Sequence, residues 1–247
     1  MRGGEQRAAK RRRTTWTWLV TASACVVLGV GLAMAVWWAV SSERRVTSYS
    51  VRGALSSVSL DLGGADADIV GGRDDPVVEV RRTDRFAFGH SAAHRRELSG
   101  GVLRISSRCP RTVFGSCAAA YRVSVPNNVP VSVRTGSGDV RLDGFRGSAR
   151  IATATGDIAA TAFCGFLLQA RAGTGDVAAT AACAPERLEL RSGTGAVHAV
   201  VPPGRYRIDA DSDEGARSVR GLRAADDAPF QILALSGAGD VAVEAGP

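Results

Sequence analysis

Hydrophobic and polar residues alternate over much of the chain. Val58-Ser59-Leu60-Asp61-Leu62, Val77-Val78-Glu79-Val80, Val102-Leu103-Arg104-Ile105 and Tyr121-Arg122-Val123-Ser124-Val125 each repeat apolar side chains two apart. This period predicts strands that bury one face. Gly63-Gly64, Gly71-Gly72, Asp74-Asp75-Pro76 and Gly100-Gly101 lie between them as turn signals. The segment from His90 to Glu97 breaks the alternation and is expected to be a short helix or a mobile loop.

From Val131 onward the pattern becomes a repeat. Gly138, Gly156, Gly175, Gly195, Gly215 and Gly239 mark equivalent points, 18 to 24 residues apart. Seven and five residues before each glycine stand Val131/Val133, Ala149/Ile151, Leu168/Ala170, Leu188/Leu190, Ile208/Ala210 and Ile232/Ala234. Two and four residues after stand Val140/Leu142, Ile158/Ala160, Val177/Ala179, Val197/Ala199 and Val241/Val243. The Gly215 repeat keeps Val219 but has Arg217 at the first of these positions and is degenerate. Each repeat therefore reads as a strand, a tight glycine corner, a second strand and a looser return. Side chains two apart share a strand face, so the apolar residues point to one side. One repeat cannot bury that face alone, whereas stacked repeats can. Six coils at about 4.8 Å each would make a stack roughly 29 Å long. The many inward alanines imply a narrow interior.

A different pattern occupies the start of the chain. No charged residue occurs from Trp16 to Val40, a run long enough to span a bilayer with some tilt. Trp16 and Trp18 flank it on one side, and Trp37 and Trp38 on the other, as suits the two lipid–water interfaces. The first 13 residues carry six basic groups against Glu5, which accounts for +5 of the chain's net +7. Such a tail should stay in the cytoplasm and place the C-terminus outside. The rival is a cleaved signal peptide ending near Ala33-Met34-Ala35. The expected organisation is a basic cytoplasmic tail over 1–15, a transmembrane helix over 16–40, a polar link over 41–50, a strand-rich part over 51–130 and repetitive coils over 131–247. The cytoplasmic part is too short to fold as a domain.

The remainder of the chain is close to neutral, which argues against nucleic acid as a partner. Lys10 is the only lysine, and the preference for Arg, Ala, Gly and Val points to a GC-rich genome of the actinobacterial kind. Beyond Cys25 in the apolar run lie four cysteines, Cys109, Cys117, Cys164 and Cys183. Cys164 and Cys183 each follow a corner glycine by eight residues, so the repeat register puts them side by side on consecutive coils. Cys109 and Cys117 are close enough in sequence to close a local loop. An oxidising exterior would allow both bridges. Buried free thiols and an intermolecular bridge remain alternatives.

Several blocks carry a family likeness. Tyr121-Arg-Val-Ser-Val-Pro126, Val129-Pro-Val-Ser-Val133 and Thr135-Gly-Ser-Gly-Asp-Val140 resemble the putative-adhesin family of bacterial envelope proteins. Thr153-Ala-Thr-Gly-Asp-Ile158 and Ala172-Gly-Thr-Gly-Asp-Val177 continue the pattern. The resemblance spans roughly residues 50–245. It implies an all-β, right-handed β-solenoid (parallel β-helix-like) ectodomain after one transmembrane helix, and brings no catalytic residues. This chain departs from the pattern at Ala196, where the aspartate is missing, and in its cysteine pairs.

Candidate chemistry is sparse. Asp139, Asp157, Asp176 and Asp240 follow corner glycines and could bind calcium between coils. With one Gly-Asp per coil and breaks at Ala196 and Ala216, capping of the turn is the better reading. His90 and His94 are four apart, but Ser91 occupies the position a metalloprotease glutamate would need. His198, between inward Val197 and Ala199, should face solvent. There is no Gly-x-Ser-x-Gly elbow, and no lysine follows a glycine-rich loop. Asp209, Asp211 and Asp213 share an outer strand face beside Glu214, and would be the carboxylates of a polysaccharide-acting solenoid enzyme if the protein were one. The reading is a membrane-anchored, extracytoplasmic, non-enzymatic protein with an adhesin-like or scaffold role. No cofactor, metal or small-molecule substrate is expected. The partners expected are the membrane and an envelope protein or cell-surface glycan. The alternative is the ectodomain of an envelope-sensing, regulatory complex.

Overall fold

The structure is a computed structural model and describes residues 23–37, 42–73, 75–87, 90–111 and 116–246. The chain divides between Glu43 and Arg44 into two units. In the first, residues 23–37 are helical. Among the described residues no helix is long and apolar enough to cross a membrane. The basic tail and residues 16–22 and 38–40 of the expected span lie outside the described residues.

The second unit is built from strands. They are β1 (Ser42–Arg52), β2 (Ser57–Leu62), β3 (Ala65–Arg73), β4 (Val77–Ala87), β5 (Ala93–Ser99), β6 (Val102–Arg108), β7 (Cys117–Pro126), β8 (Val131–Ser137), β9 (Val140–Asp143) and β10 (Ala149–Thr155). They continue as β11 (Ile158–Phe163), β12 (Leu167–Thr174), β13 (Val177–Ala181), β14 (Arg187–Thr194), β15 (Val197–Val201), β16 (Arg205–Glu214), β17 (Arg217–Arg220), β18 (Arg223–Ala224), β19 (Phe230–Ala238) and β20 (Val241–Ala245). Two findings differ from the sequence reading. The polar link expected over 41–50 is strand β1 from Ser42 on. The segment expected as a helix or loop between His90 and Glu97 enters strand β5, which pairs antiparallel with β6 from Ala93 to Ser99.

Two ten-stranded sheets result. One runs β1-β4-β7-β3-β9-β11-β13-β15-β20-β17 and the other β18-β16-β19-β14-β12-β10-β8-β2-β6-β5. From Val131 to Ala224 the chain alternates between them, and the parallel pairs join equivalent repeat positions. Ala149 meets Val131 and Leu168, and Ile158 meets Val140 and Val177. Most apolar positions read from the sequence are the core: Val133, Leu142, Ile158, Leu168, Leu190, Val197 and Val243 are at most 2% exposed, whereas Ile208 and Val219 of the degenerate repeat are only partly buried. Phe145, Phe163 and Tyr206 fill the interior at the returns.

The stacking order departs from chain order at the C-terminal end. β19 lies between β14 and β16, and β20 between β15 and β17. The last repeat is inserted, and the degenerate Gly215 repeat becomes the outermost coil. Arg217 and Arg220 then sit on an edge strand and are exposed. A charged side chain is tolerated there because no further coil covers it, and an edge bearing arginine resists pairing with other chains. The opposite end is closed differently: β4 and β5 reverse direction and pair antiparallel with β7 and β6.

Candidate functional site

The glycine corners are the most regular chemical feature. Gly156, Gly175 and Gly195 adopt φ of +135°, +135° and +143°, where side chains are disfavoured. The same corners leave no space: a Cβ at Gly175 would lie 2.6 Å from the carbonyl carbon of Gly156. Aspartates then tie coil to coil. The Oδ1 of Asp66, Asp139, Asp157 and Asp176 accepts the backbone N–H of Asp139, Asp157, Asp176 and Ala196, at 2.7 to 3.1 Å. Asp240 accepts from Ala216 at 2.8 Å. Each carboxylate thus caps the corner of the next coil in the stack. Ala196 breaks this ladder in front of Asp240.

A second ladder runs inside the corner. The hydroxyls of Thr135, Thr153, Ser192, Ser236 and Ser212 donate to the backbone carbonyls of Ala65, Gly138, Gly175, Gly195 and Gly239. Ala172 holds the equivalent buried position and has no hydroxyl. Among the described residues no group of three or more His, Cys, Asp or Glu is placed to hold a metal ion.

The cysteines are paired in the structure. Cys109 is joined to Cys117 with Cα atoms 5.8 Å apart, and Cys164 to Cys183 at 4.8 Å. The second bridge links adjacent coils. Beside it an open groove of about 390 Å³ is lined by Phe166, Ala184, Glu186, Pro229 and Phe230. Phe166 is 69% exposed there.

Asp209, Asp211 and Asp213 share the exposed face of β16, and their register partners on β19 include Leu233 and Leu235. His198 is exposed on β15, 3.9 Å from Glu244. His90 lies outside β5, while His94 is within it. The strand disposes of the helical spacing on which a zinc reading of the pair would rest.

His94 belongs instead to a polar cluster at the β4–β5 end of the stack, which the sequence reading missed. Its Nδ1 is 3.3 Å from the Tyr121 hydroxyl. Burial, then the nearby Arg82 charge, holds its pKa below the ordinary histidine value. Arg82 donates through Nε to Asp84 Oδ1 and through Nη2 to the Ala92 carbonyl, both at 2.7 Å. Both residues of this pair are buried, at 9% and 4% exposure. The Tyr49 hydroxyl is buried without a hydrogen-bond partner, and burial pushes its pKa up to about 12. The signal was legible in β4: its inward positions run Val78, Val80, Arg82, Asp84, Phe86, so two charges two apart continue an apolar face. The cluster ends the apolar interior on a polar layer.

No protein-family model matches the sequence, and no curated protein matches it. Solved structures resemble the fold. A putative cell adhesion protein from Clostridium sporogenes aligns over 83% of this chain and 100% of its own, with a TM-score of 0.52 and 10% identity. A putative adhesin from Bacteroides fragilis aligns over 82% and 97%, with a TM-score of 0.38 and 9% identity. A putative adhesin from Parabacteroides distasonis aligns over 82% and 97%, with a TM-score of 0.31 and 12% identity. At such identities the likeness is one of fold: this chain folds as a mostly β, two-sheet domain like that of the Clostridium protein.

Proposed function

We propose that this protein is a membrane-anchored, extracytoplasmic, right-handed β-solenoid that makes adhesin-like surface interactions or acts as a scaffold, without catalysis. The observation that carries the reading is the continuous two-sheet stack, whose regular polar side chains bond one coil to the next. The corner aspartates accept backbone N–H groups and the inner hydroxyls meet backbone carbonyls, so both ladders serve rigidity. A rigid body of this kind suits display of a surface. The apolar run over 16–40 supports the anchor. The two disulfides support an oxidising compartment. Fold likeness to a putative cell adhesion protein supports the surface role.

Two measurements test it. Protease added to intact spheroplasts should digest residues beyond about 45, whereas protection, or a mature N-terminus at Val36, would refute the anchor. The detergent-solubilised full chain should be retained by cell-surface glycan or cell-wall material without altering it. A stoichiometric membrane-protein partner in place of that retention would favour the regulatory ectodomain, and glycan cleavage would overturn the non-catalytic reading.

A further inference from the structure

Charge is distributed unevenly along the stack. From Ser42 onward the chain is net +2, yet β1, β4 and β5 carry eight arginines against four acids, Glu43, Glu79, Asp84 and Glu97. All else from Ser42 on is therefore net −2. These three strands form one end of the stack, with β1 and β5 as the outermost strands of the two sheets. Arg44, Arg45 and Arg52 on β1, and Arg95 and Arg96 on β5, are exposed. The Arg45 guanidinium lies 5.7 Å from the Phe86 ring centre and that of Arg96 4.9 Å from Tyr49, so aromatic faces support two of them.

An independent observation concerns apolar groups at the same end. Among the described residues of the strand-built unit, the large hydrophobic side chains that stand exposed are Val46, Leu98 and Phe166. Val46 is on β1 and Leu98 on β5, the two edge strands among the arginines, at 44% and 54% exposure. Arginines around a few exposed aliphatic groups match the chemistry of a lipid interface: guanidinium for phosphate, aliphatic carbon for the acyl boundary. The apolar run ends at Val40, two residues before β1 begins.

We propose that this end of the stack, made by β1, β4 and β5, docks on an anionic lipid headgroup surface. The proposal rests on the anchor reading for which membrane is met. The stack would stand end-on, with the Arg205–Arg220 coil farthest from the lipid.

The test uses the full chain in vesicles of phosphatidylcholine, alone or mixed with phosphatidylglycerol. A fluorophore is placed at Ser99→Cys in a Cys25→Ser background, with doxyl-labelled lipid as quencher. Quenching is expected in the anionic vesicles, weak in the neutral ones, and lost in high salt through screening. Each arginine near such a surface should favour the docked state about fivefold, so the double change Arg95→Ala, Arg96→Ala should lower the docked-to-free ratio about 25-fold. Both side chains are exposed, and an unchanged far-ultraviolet spectrum would show that the variant is folded. Equal quenching in both vesicle types, no quenching in either, or lipid-independent protection that grows with protein concentration would overturn the docking. The anchor is read separately: a chain that leaves the vesicles in high salt has no anchor, whatever its quenching at low salt.

Discussion

Replacing Gly175 by alanine measures how closely the coils approach. Gly53 serves as its control. Both have positive φ, +135° and +140°, so an alanine meets similar backbone strain, about 1–3 kcal/mol at either site. The surroundings differ. A Cβ at Gly53 would meet nothing within 4 Å, whereas at Gly175 it would lie 2.6 Å from the Gly156 carbonyl carbon. Backbone cannot rotate aside as a side chain can, so the two coils must part. Three hydrogen bonds join these two coils at the corner: Gly156 N–H to Thr174 O at 2.9 Å, Ile158 N–H to Asp176 O at 2.9 Å, and Asp176 N–H to Asp157 Oδ1 at 2.8 Å. At about 1 kcal/mol each, their loss adds about 3 kcal/mol beyond the strain. Urea unfolding of the full chain in detergent, followed by far-ultraviolet circular dichroism, should therefore show Gly175→Ala about 3 kcal/mol less stable than Gly53→Ala. Equal stabilities would refute the argument, because positive φ alone would then explain the glycine.

Four further outcomes are expected. Replacing Cys164 and Cys183 by serine should lower stability by about 3 kcal/mol through the loop they close, and non-reducing peptide maps of the parent should yield linked 109–117 and 164–183 peptides. Asp84→Ala leaves Arg82 buried without its carboxylate and should cost about 3–5 kcal/mol; a loss under 1 kcal/mol would mean that water reaches the pair. Ala196→Asp fills the gap in the corner ladder and should stabilise by about 1 kcal/mol, read as a raised urea midpoint, through a bond to the Asp240 N–H. Acidification should destabilise the fold: the unfolded chain protonates His94 near 6.5 and the folded chain only at lower pH, so its contribution, present above 6.5, fades as pH falls below that value. His94→Gln should flatten that part of the melting-temperature profile.

What the amino-acid sequence determined by itself was the geometry within each coil. Alternation assigned Val131/Val133 or Val177/Ala179 to the interior, because a strand presents successive side chains to opposite faces. The spacing of the glycines placed the corners, and with them the alignment that brings Cys164 beside Cys183. Only the tertiary structure decided the order of the coils. Repeats with one register and similar inward faces fit one another nearly equally, so chain order does not dictate neighbours; the coil holding Arg217 goes to the end because an interior place would bury that charge. The same reason hid the end at β1, β4 and β5. Its strands reverse direction or pair across long stretches of chain, and the cluster of Tyr49, Arg82, Asp84, His94 and Tyr121 is assembled from β1, β4, β5 and β7. Local alternation carries no information about such meetings, since each depends on which strand reaches which neighbour.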